Sequence, residues 1–339
     1  MSAATSPSRL DRLLAAVDPG EPLLILPHND PDPDALASAV ALRYLLAELT
    51  GAVVEIAYQG IIGRAENRAL VRYLGRPLRR LVPSGLSPEV AIALVDTQPG
   101  AGNIALPPGR EVVLVFDHHA LRSETTRVPY ADVRGDAGAT STVLTEYLLA
   151  ARLELTPALA TALFYGIKTD TRGLARGASP SDTAAYLHLL PRIDSEALAQ
   201  IEQAQVSPLY FKTLAASLQA ARVYGPAVIS YVGEMAYPDM AAEMADVLLR
   251  LEGANWIVCM GWHGGQLVLA ARTRRRQGGA GRLAQAVIGS EGTAGGHGSL
   301  AGGQVLLRDN DPDELAARLA QRALDHLHIS TDIAAQQLV

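Results

Sequence analysis

The chain has 339 residues, 49% of them in the hydrophobic set and 19% charged, which excludes disorder as the default and suits two or three compact domains. A net charge of −6 and a pI near 5.8 imply no broad basic surface, so long duplex nucleic acid is disfavoured as a main partner while a short anionic substrate in a local pocket is not. The single cysteine, Cys259, reads as a buried strand residue, and the absence of a cationic leader or of an apolar run near the roughly 20 residues needed to span a bilayer makes cytoplasmic the expectation.

Leu23 to Leu26 predicts a buried parallel strand. Directly behind it, His28-Asn29-Asp30-Pro31-Asp32-Pro33-Asp34 places a histidine and three carboxylates within seven residues. A strand ending in repelling carboxylates is costly unless a cation or hydrogen bonds compensate them, so the cluster points to divalent metal. Asp34 to Glu48 predicts a helix, Val53 to Ala57 a second strand and Glu66 to Leu74 a short helix. Pro83, Gly85 and Pro88 mark a surface connection before Val90 to Val95, a strand that ends at Asp96.

A loop containing Pro99, Gly100, Gly102, Pro107, Pro108 and Gly109 leads to a strand over Glu111 to Phe116, which stops at Asp117-His118-His119. Loops beyond the carboxyl ends of strands line the crevice of an open α/β sheet, so these polar endpoints are expected to converge. Gly138-Ala139-Thr140-Ser141 opens a helix through Ala150 whose first turn can offer backbone donors to an oxyanion. A further helix from Pro157 delivers Asp170 from a helix end, and Ser179-Pro180-Ser181 starts another.

Pro191 to about Gln205 reads as interdomain, with Asp194 to Leu218 helical enough for a rigid connector. Beyond it come strands at Ala227 to Tyr231, Trp256 to Met260 and Gln266 to Ala271, and helices near Met235 to Leu249 and Gly281 to Ile288. Arg272, Arg274, Arg275 and Arg276 make a local positive patch that suits either a solvated turn or an anion. Gly295-Gly296-His297 through Gly303 can bring backbone amides to a phosphate.

Two divalent ions about 3.5–4 Å apart can activate a water and balance phosphoryl charge. His28, Asp32, Asp34, Asp96, His118 and Asp170 are the inventory of ligands, and mixed carboxylate and imidazole ligation suits Mn2+. If the backbone stays extended, Asp32 and Asp34 point the same way, with Asp30 left to capping. His118 reads as a ligand and His119 as a substrate contact or proton partner, against the alternative of a polar loop. Lys168 either assists substrate electrostatics or is an ordinary exposed lysine.

These residues resemble the DHH phosphoesterase family, through Asp117-His118-His119, the run His28 to Ala35, the isolated Asp96 and then Asp170. The segment from Gly295 resembles the glycine-rich motif of the associated substrate-binding domain. The chain departs from the family pattern at Thr293-Ala294, at Leu300, and in Asp96 to Gly100, which has no arginine. The resemblance implies an α/β fold with a mainly parallel-sheet catalytic domain (1–190), a helical connector (191–218) and a smaller α/β substrate-binding domain (219–339).

The same resemblance implies that His28 and Asp32 hold one ion, that Asp34, His118 and Asp170 hold the other, and that Asp96 bridges. His119 is then the phosphate contact, while Arg272 or Arg274 with Gly295, Gly296 and His297 binds substrate. The nearest branch hydrolyses short oligoribonucleotides and adenosine 3',5'-bisphosphate. Cyclic or linear dinucleotide cleavage, polyphosphate hydrolysis and a noncatalytic nucleotide sensor are the alternatives. A homodimer is compatible with the chain, and no stable long nucleic-acid or membrane partner is implied.

Overall fold

Five successive apolar residues, Leu23–Pro27, are all buried and form β1, as befits a strand covered on both faces. The computed structural model that contains it describes residues 8–81, 90–106, 109–275, 277–329 and 335–339. Pro83, Gly85, Pro88, Pro107, Pro108 and Arg276 lie outside the described residues. Two compact units divide the chain, Met1–Ala204 and Gln205–Val339.

In the first unit, the described strands are β1, β2 (Val54–Tyr58), β3 (Arg79–Arg80), β4 (Ala91–Val95), β5 (Val112–Asp117) and β6 (Tyr130–Val133). They form one parallel sheet in the order β3-β2-β1-β4-β5-β6. The helices are α1 (Arg9–Ala15), α2 (Pro33–Thr50), α3 (Ala65–Tyr73), α4 (Thr140–Ala150), α5 (Pro157–Thr171), α6 (Pro180–Leu189) and α7 (Ser195–Glu202). The period of two along a strand decides what each face meets. Leu23 and Ile25 join the large core with the leucines of α2, α4 and α5, whereas Leu24 and Leu26 pack with Ile92, Leu94 and Val115 in a smaller one.

Strand order also places the crevice. From β1 the chain moves outward to β2 and β3, then returns to the other side of β1 as β4 and moves outward the opposite way to β5 and β6. The neighbours β1 and β4 therefore flank the topological switch point, where a parallel sheet opens beyond its carboxyl ends. The residues that follow those two strands are His28 and Asp96.

The second unit contains α8 (Pro208–Ala220), β7 (Arg222–Tyr224), β8 (Ala227–Glu234), α9 (Met240–Leu248), β9 (Trp256–His263), β10 (Gln266–Thr273), α10 (Ala280–Ile288), β11 (Thr293–His297), β12 (Leu300–Leu306), α11 (Pro312–His326) and β13 (Gln336–Gln337). Its mixed sheet has the order β11-β12-β10-β9-β8-β7-β13, with β8 and β9 parallel. Trp256, Val258 and Met260 face α10 and α11, while Ile257 and Cys259 face α9. The expected α/β architecture, a parallel-sheet domain followed by a smaller one, is thus present. The division at Ala204 falls inside the stretch expected to be a connector, and α7 and α8 belong to different units. No described helix is long and apolar enough to cross a membrane.

Candidate metal centre

The first loop is organised by the start of α2. Asp32 is its N-cap and accepts from the Ala35 N–H at 3.0 Å, with Pro33 at the first helical position. Asp34 therefore lies in the first helical turn, so the extended backbone expected for this pair is replaced by a cap and a turn that still keep both carboxylates at the centre. Asp34 is fully buried and accepts from the backbone N–H groups of Thr140 and Ser141, each at 2.7 Å. These are the donors expected to meet a substrate oxyanion; in the structure they hold the protein's own carboxylate. Asp30, with a left-handed φ of 55°, accepts from the Ile61 N–H at 2.6 Å and so stabilises the turn.

At the end of β4, Asp96 is 2% exposed and takes a left-handed φ of 57°. Its N–H donates to the Phe116 carbonyl at 2.8 Å, and its Oδ1 accepts from the Thr140 hydroxyl at 2.9 Å. At the end of β5, Asp117 accepts from the N–H groups of His118 and His119 and from His119 Nδ1, the last at 2.8 Å. Asp117 is thus the bracket on which the two histidines are hung.

His28 and His118 meet the carboxylates through their Nε2 atoms. His28 donates Nδ1 to the Asn29 carbonyl at 2.7 Å and brings Nε2 to 3.4 Å from Asp96 and 3.8 Å from Asp32. His118 has Nδ1 3.3 Å from the Ala137 carbonyl and Nε2 3.4 Å from Asp96 and 3.3 Å from Asp170. Three groups of potential ligand atoms lie within 4.8 Å: His28, Asp32 and Asp96; Asp34, His118 and Asp170; Asp96, His118 and His119.

The electrostatics ask for a cation. Burial, then the neighbouring Asp96 charge, pushes Asp34 up to about 7. Burial and the charges of Asp32, Asp34 and Asp96 raise Asp170 well above the ordinary carboxylate value. Burial opposes a charged His28, yet Asp32 and Asp96 more than reverse this and hold it well above an ordinary histidine. Burial likewise opposes protonation of His119, which Asp117 and Asp96 nevertheless lift to about 9. The buried Nε2 of His118 has no hydrogen-bond partner, a state that ordinarily costs about 1–3 kcal/mol. A divalent ion would accept that lone pair and neutralise the crowded acids, so the donor set fits a metal pair.

Residues 22–167 match the model described as DHH family, N-terminal domain. Over that stretch the first unit is similar to the N-terminal domain of the DHH family. An uncharacterized protein of Methanocaldococcus jannaschii is 37% identical over 288 residues, 84% of this chain and 58% of that protein. The A-adding tRNA nucleotidyltransferase of Geobacter sulfurreducens is 30% identical over 261 residues, 72% of this chain and 28% of that protein. The chain therefore spans little more than half the length of the first of these relatives and a smaller part of the second. The crystal structure of an exopolyphosphatase-related protein from Bacteroides fragilis matches with a TM-score of 0.70 at 14% identity, covering 94% of this chain and 96% of that one, a likeness of fold.

In the first unit, all six residues expected to hold metal come together at the carboxyl edge of the sheet, with His119 beside them. Lys168 is engaged elsewhere, in an ion pair with Glu202 at 2.5 Å. In the second unit, Arg272 is 7% exposed, and its guanidinium donates to Asp246 at 2.8 Å and to the carbonyls of Ala271 and Ala301. Arg274 donates through Nε to the Leu249 carbonyl at 2.7 Å.

The glycine-rich segment is a hairpin of β11 and β12 rather than a loop. Gly296 has φ 139°, and a Cβ there would lie 2.4 Å from Ala301 Cα, so close strand packing requires the glycine. Gly295 shares β11 with it, and the backbone of His297 ends that strand.

Two supporting residues escaped the sequence reading. Gln98, 1% exposed, donates to Asp117 at 2.6 Å and accepts from the Arg122 N–H and the Thr125 hydroxyl. It occupies the loop in which the family's arginine is missing. Gly166 on α5 lets that helix approach α2 and α4, because a Cβ would lie 2.4 Å from Ser141 Oγ and 3.1 Å from Asp34 Cα. Only the lack of a side chain at 166, inside an otherwise bulky helical run, signals that approach.

Proposed function

We propose that the chain is a metal-dependent phosphoesterase that hydrolyses short oligoribonucleotides and adenosine 3',5'-bisphosphate. The observation that carries the reading is the overlap of the ligand groups: Asp96 and His118 each belong to two of the three, which is the arrangement a pair of ions needs. His28 and Asp32 would hold one ion, Asp34, His118 and Asp170 the other, and Asp96 both. When bound, two divalent ions, Mn2+ in this reading, supply Lewis acidity and a water of lowered pKa.

The chain's own residues do the rest. The N–H groups of Thr140 and Ser141 fix Asp34, and the Thr140 hydroxyl fixes Asp96, so ligand oxygens are oriented before substrate arrives. His119, whose side chain is 40% exposed, is held at Nδ1 by Asp117. It can then contact a phosphate oxygen as negative charge builds there. One water is consumed, one P–O ester bond breaks, and the leaving oxygen takes a proton from solvent. In the second unit, with Arg272 committed to Asp246, the exposed Arg274 is the better candidate to anchor a substrate phosphate.

The test is a substrate panel assayed with Mn2+: short RNA, short DNA, adenosine 3',5'-bisphosphate, linear and cyclic dinucleotides, and polyphosphate. Turnover of short RNA and the bisphosphate, lost on chelation, is the expected result. A protein that binds Mn2+ but cleaves none of the panel is a sensor, not this enzyme.

A further inference from the structure

We propose that Asp182, a carboxylate outside the ligand set, is a positioning residue that sets the geometry and affinity of the metal centre by clamping the segment 138–142 from behind. The inference rests on the reading of the centre given above.

Asp182 lies in the first turn of α6 and is fully buried. Part of its bonding is local. Its N–H donates to Ser179 Oγ at 3.2 Å, and its Oδ2 accepts from the Ser179 N–H at 2.7 Å and the Ser179 hydroxyl at 2.6 Å, a capping box. A capping box closes on itself and needs no distant partner. Here the same carboxylate reaches further: Oδ2 accepts from the Gly138 N–H at 2.8 Å and Oδ1 from the Thr142 hydroxyl at 2.5 Å.

Those two distant donors flank the residues that matter to the centre. Between Gly138 and Thr142 lie Thr140 and Ser141, whose N–H groups donate to Asp34, and the Thr140 hydroxyl donates to Asp96. Five residues are therefore gripped by Asp182 on one side and by two metal-ligand candidates on the other. The N-cap position of α4, Ala139, makes no side-chain cap bond. The first turn of α4 is instead aligned by carboxylates supplied by α2 and α6. Gly138 permits the grip: a Cβ there would lie 3.0 Å from Asp182 Oδ2 and 2.7 Å from Thr171 Cγ2, next to Asp170.

Bonds to a charged carboxylate are short and strong, so moving Asp182 moves the segment. In Asp182→Asn an amide replaces one acceptor oxygen and sets N–H groups against N–H or O–H donors. Partners behind the ligands of metal sites typically change affinity by about 10–100-fold. The full chain carrying D182N is expected to bind Mn2+ alone about tenfold more weakly by calorimetry, with kcat lowered and KM for the cleaved substrate essentially unchanged.

Thr142→Val removes one donor without touching the carboxylate and should weaken Mn2+ binding in the same direction but less. Asp132→Asn, a buried change elsewhere in the unit, is the control: it should lower thermal stability and leave Mn2+ affinity unchanged. Wild-type Mn2+ affinity in folded D182N, or in T142V should D182N fail to fold, overturns the proposal. If the wild-type chain itself binds no Mn2+, the reading of the centre fails and this inference falls with it, a result distinct from a metal-binding wild type matched by its variants.

Discussion

The Thr140 hydroxyl donates to Asp96 at 2.9 Å across 44 residues of sequence, joining the first turn of α4 to the carboxylate shared by two ligand groups. Thr140→Val keeps the shape and removes the bond. We expect it to weaken Mn2+ binding by about tenfold and stability by about 1 kcal/mol. Calorimetric titration with Mn2+ measures the first and urea unfolding the second; unchanged Mn2+ affinity would show that Asp96 needs no such orientation.

Asp96 should be the least dispensable acid. Asp96→Ala removes one oxygen donor from two of the three ligand groups. Turnover should fall by at least about 10²–10³-fold, well beyond the loss from Arg274→Ala. Steady-state rates with metal content measured on the same samples decide this, and near-normal turnover with full metal occupancy contradicts the assignment.

Metal should also stabilise the fold, because the crowded acids repel one another without it. At 100 times its Kd, an ion that binds only the folded chain adds about 2.7 kcal/mol per site. Differential scanning fluorimetry should show a Tm that rises with Mn2+ and returns on adding EDTA, with a smaller rise in His28→Ala. A Tm indifferent to Mn2+ and Mg2+ alike would remove the metal pair from the account.

A separate network predicts acid sensitivity. Asp132 accepts from Arg134 Nε at 2.9 Å, Arg134 Nη2 at 2.8 Å and the Tyr147 hydroxyl at 2.7 Å. Burial works against its charge, but these partners hold its pKa below the ordinary 3.8. A depressed folded-state value gives stability that is present above the unfolded carboxylate's pKa and lost as pH falls through the folded one. Wild type should exceed Asp132→Asn by about 1–3 kcal/mol at pH 7, and the gap should close as the pH drops below about 4. Urea titrations across pH 2–7, a range of about five units chosen to bracket that value, check the sign; a gap that widens in acid refutes it.

Gly166→Ala tests the close approach of α5. Alanine favours a helix by about 1 kcal/mol over glycine, but its Cβ would sit 2.4 Å from Ser141 Oγ, and overpacking of this kind costs about 1–3 kcal/mol. Net destabilisation with weaker Mn2+ binding is expected. A more stable variant with normal affinity would mean that α4 yields without consequence.

The core strands were legible because β1, β2, β4 and β5 carry apolar runs, and those of β1, β4 and β5 run into a histidine or an aspartate. β3, two arginines, and β6, Tyr130 to Val133, have no such run and were missed; tertiary pairing makes them strands. The hairpin of β11 and β12 was hidden because its glycines look like a loop until backbone packing explains them. At the centre, the ligands were legible because each follows a strand or lies at the start or end of a helix. Their supports, Gln98, Thr140 and Asp182, were not, since a hydrogen bond across 44 residues leaves no local pattern.

The left-handed backbone of Asp96 sets two selective demands against each other at one residue. That conformation is unfavourable by roughly 1–2 kcal/mol for most side chains and is tolerated best by glycine, then by asparagine and aspartate. Asp96→Gly is therefore expected to silence the chemistry while easing the backbone at that position. In the laboratory the same exchange should offer a long-lived decoy for capturing whatever the active form consumes.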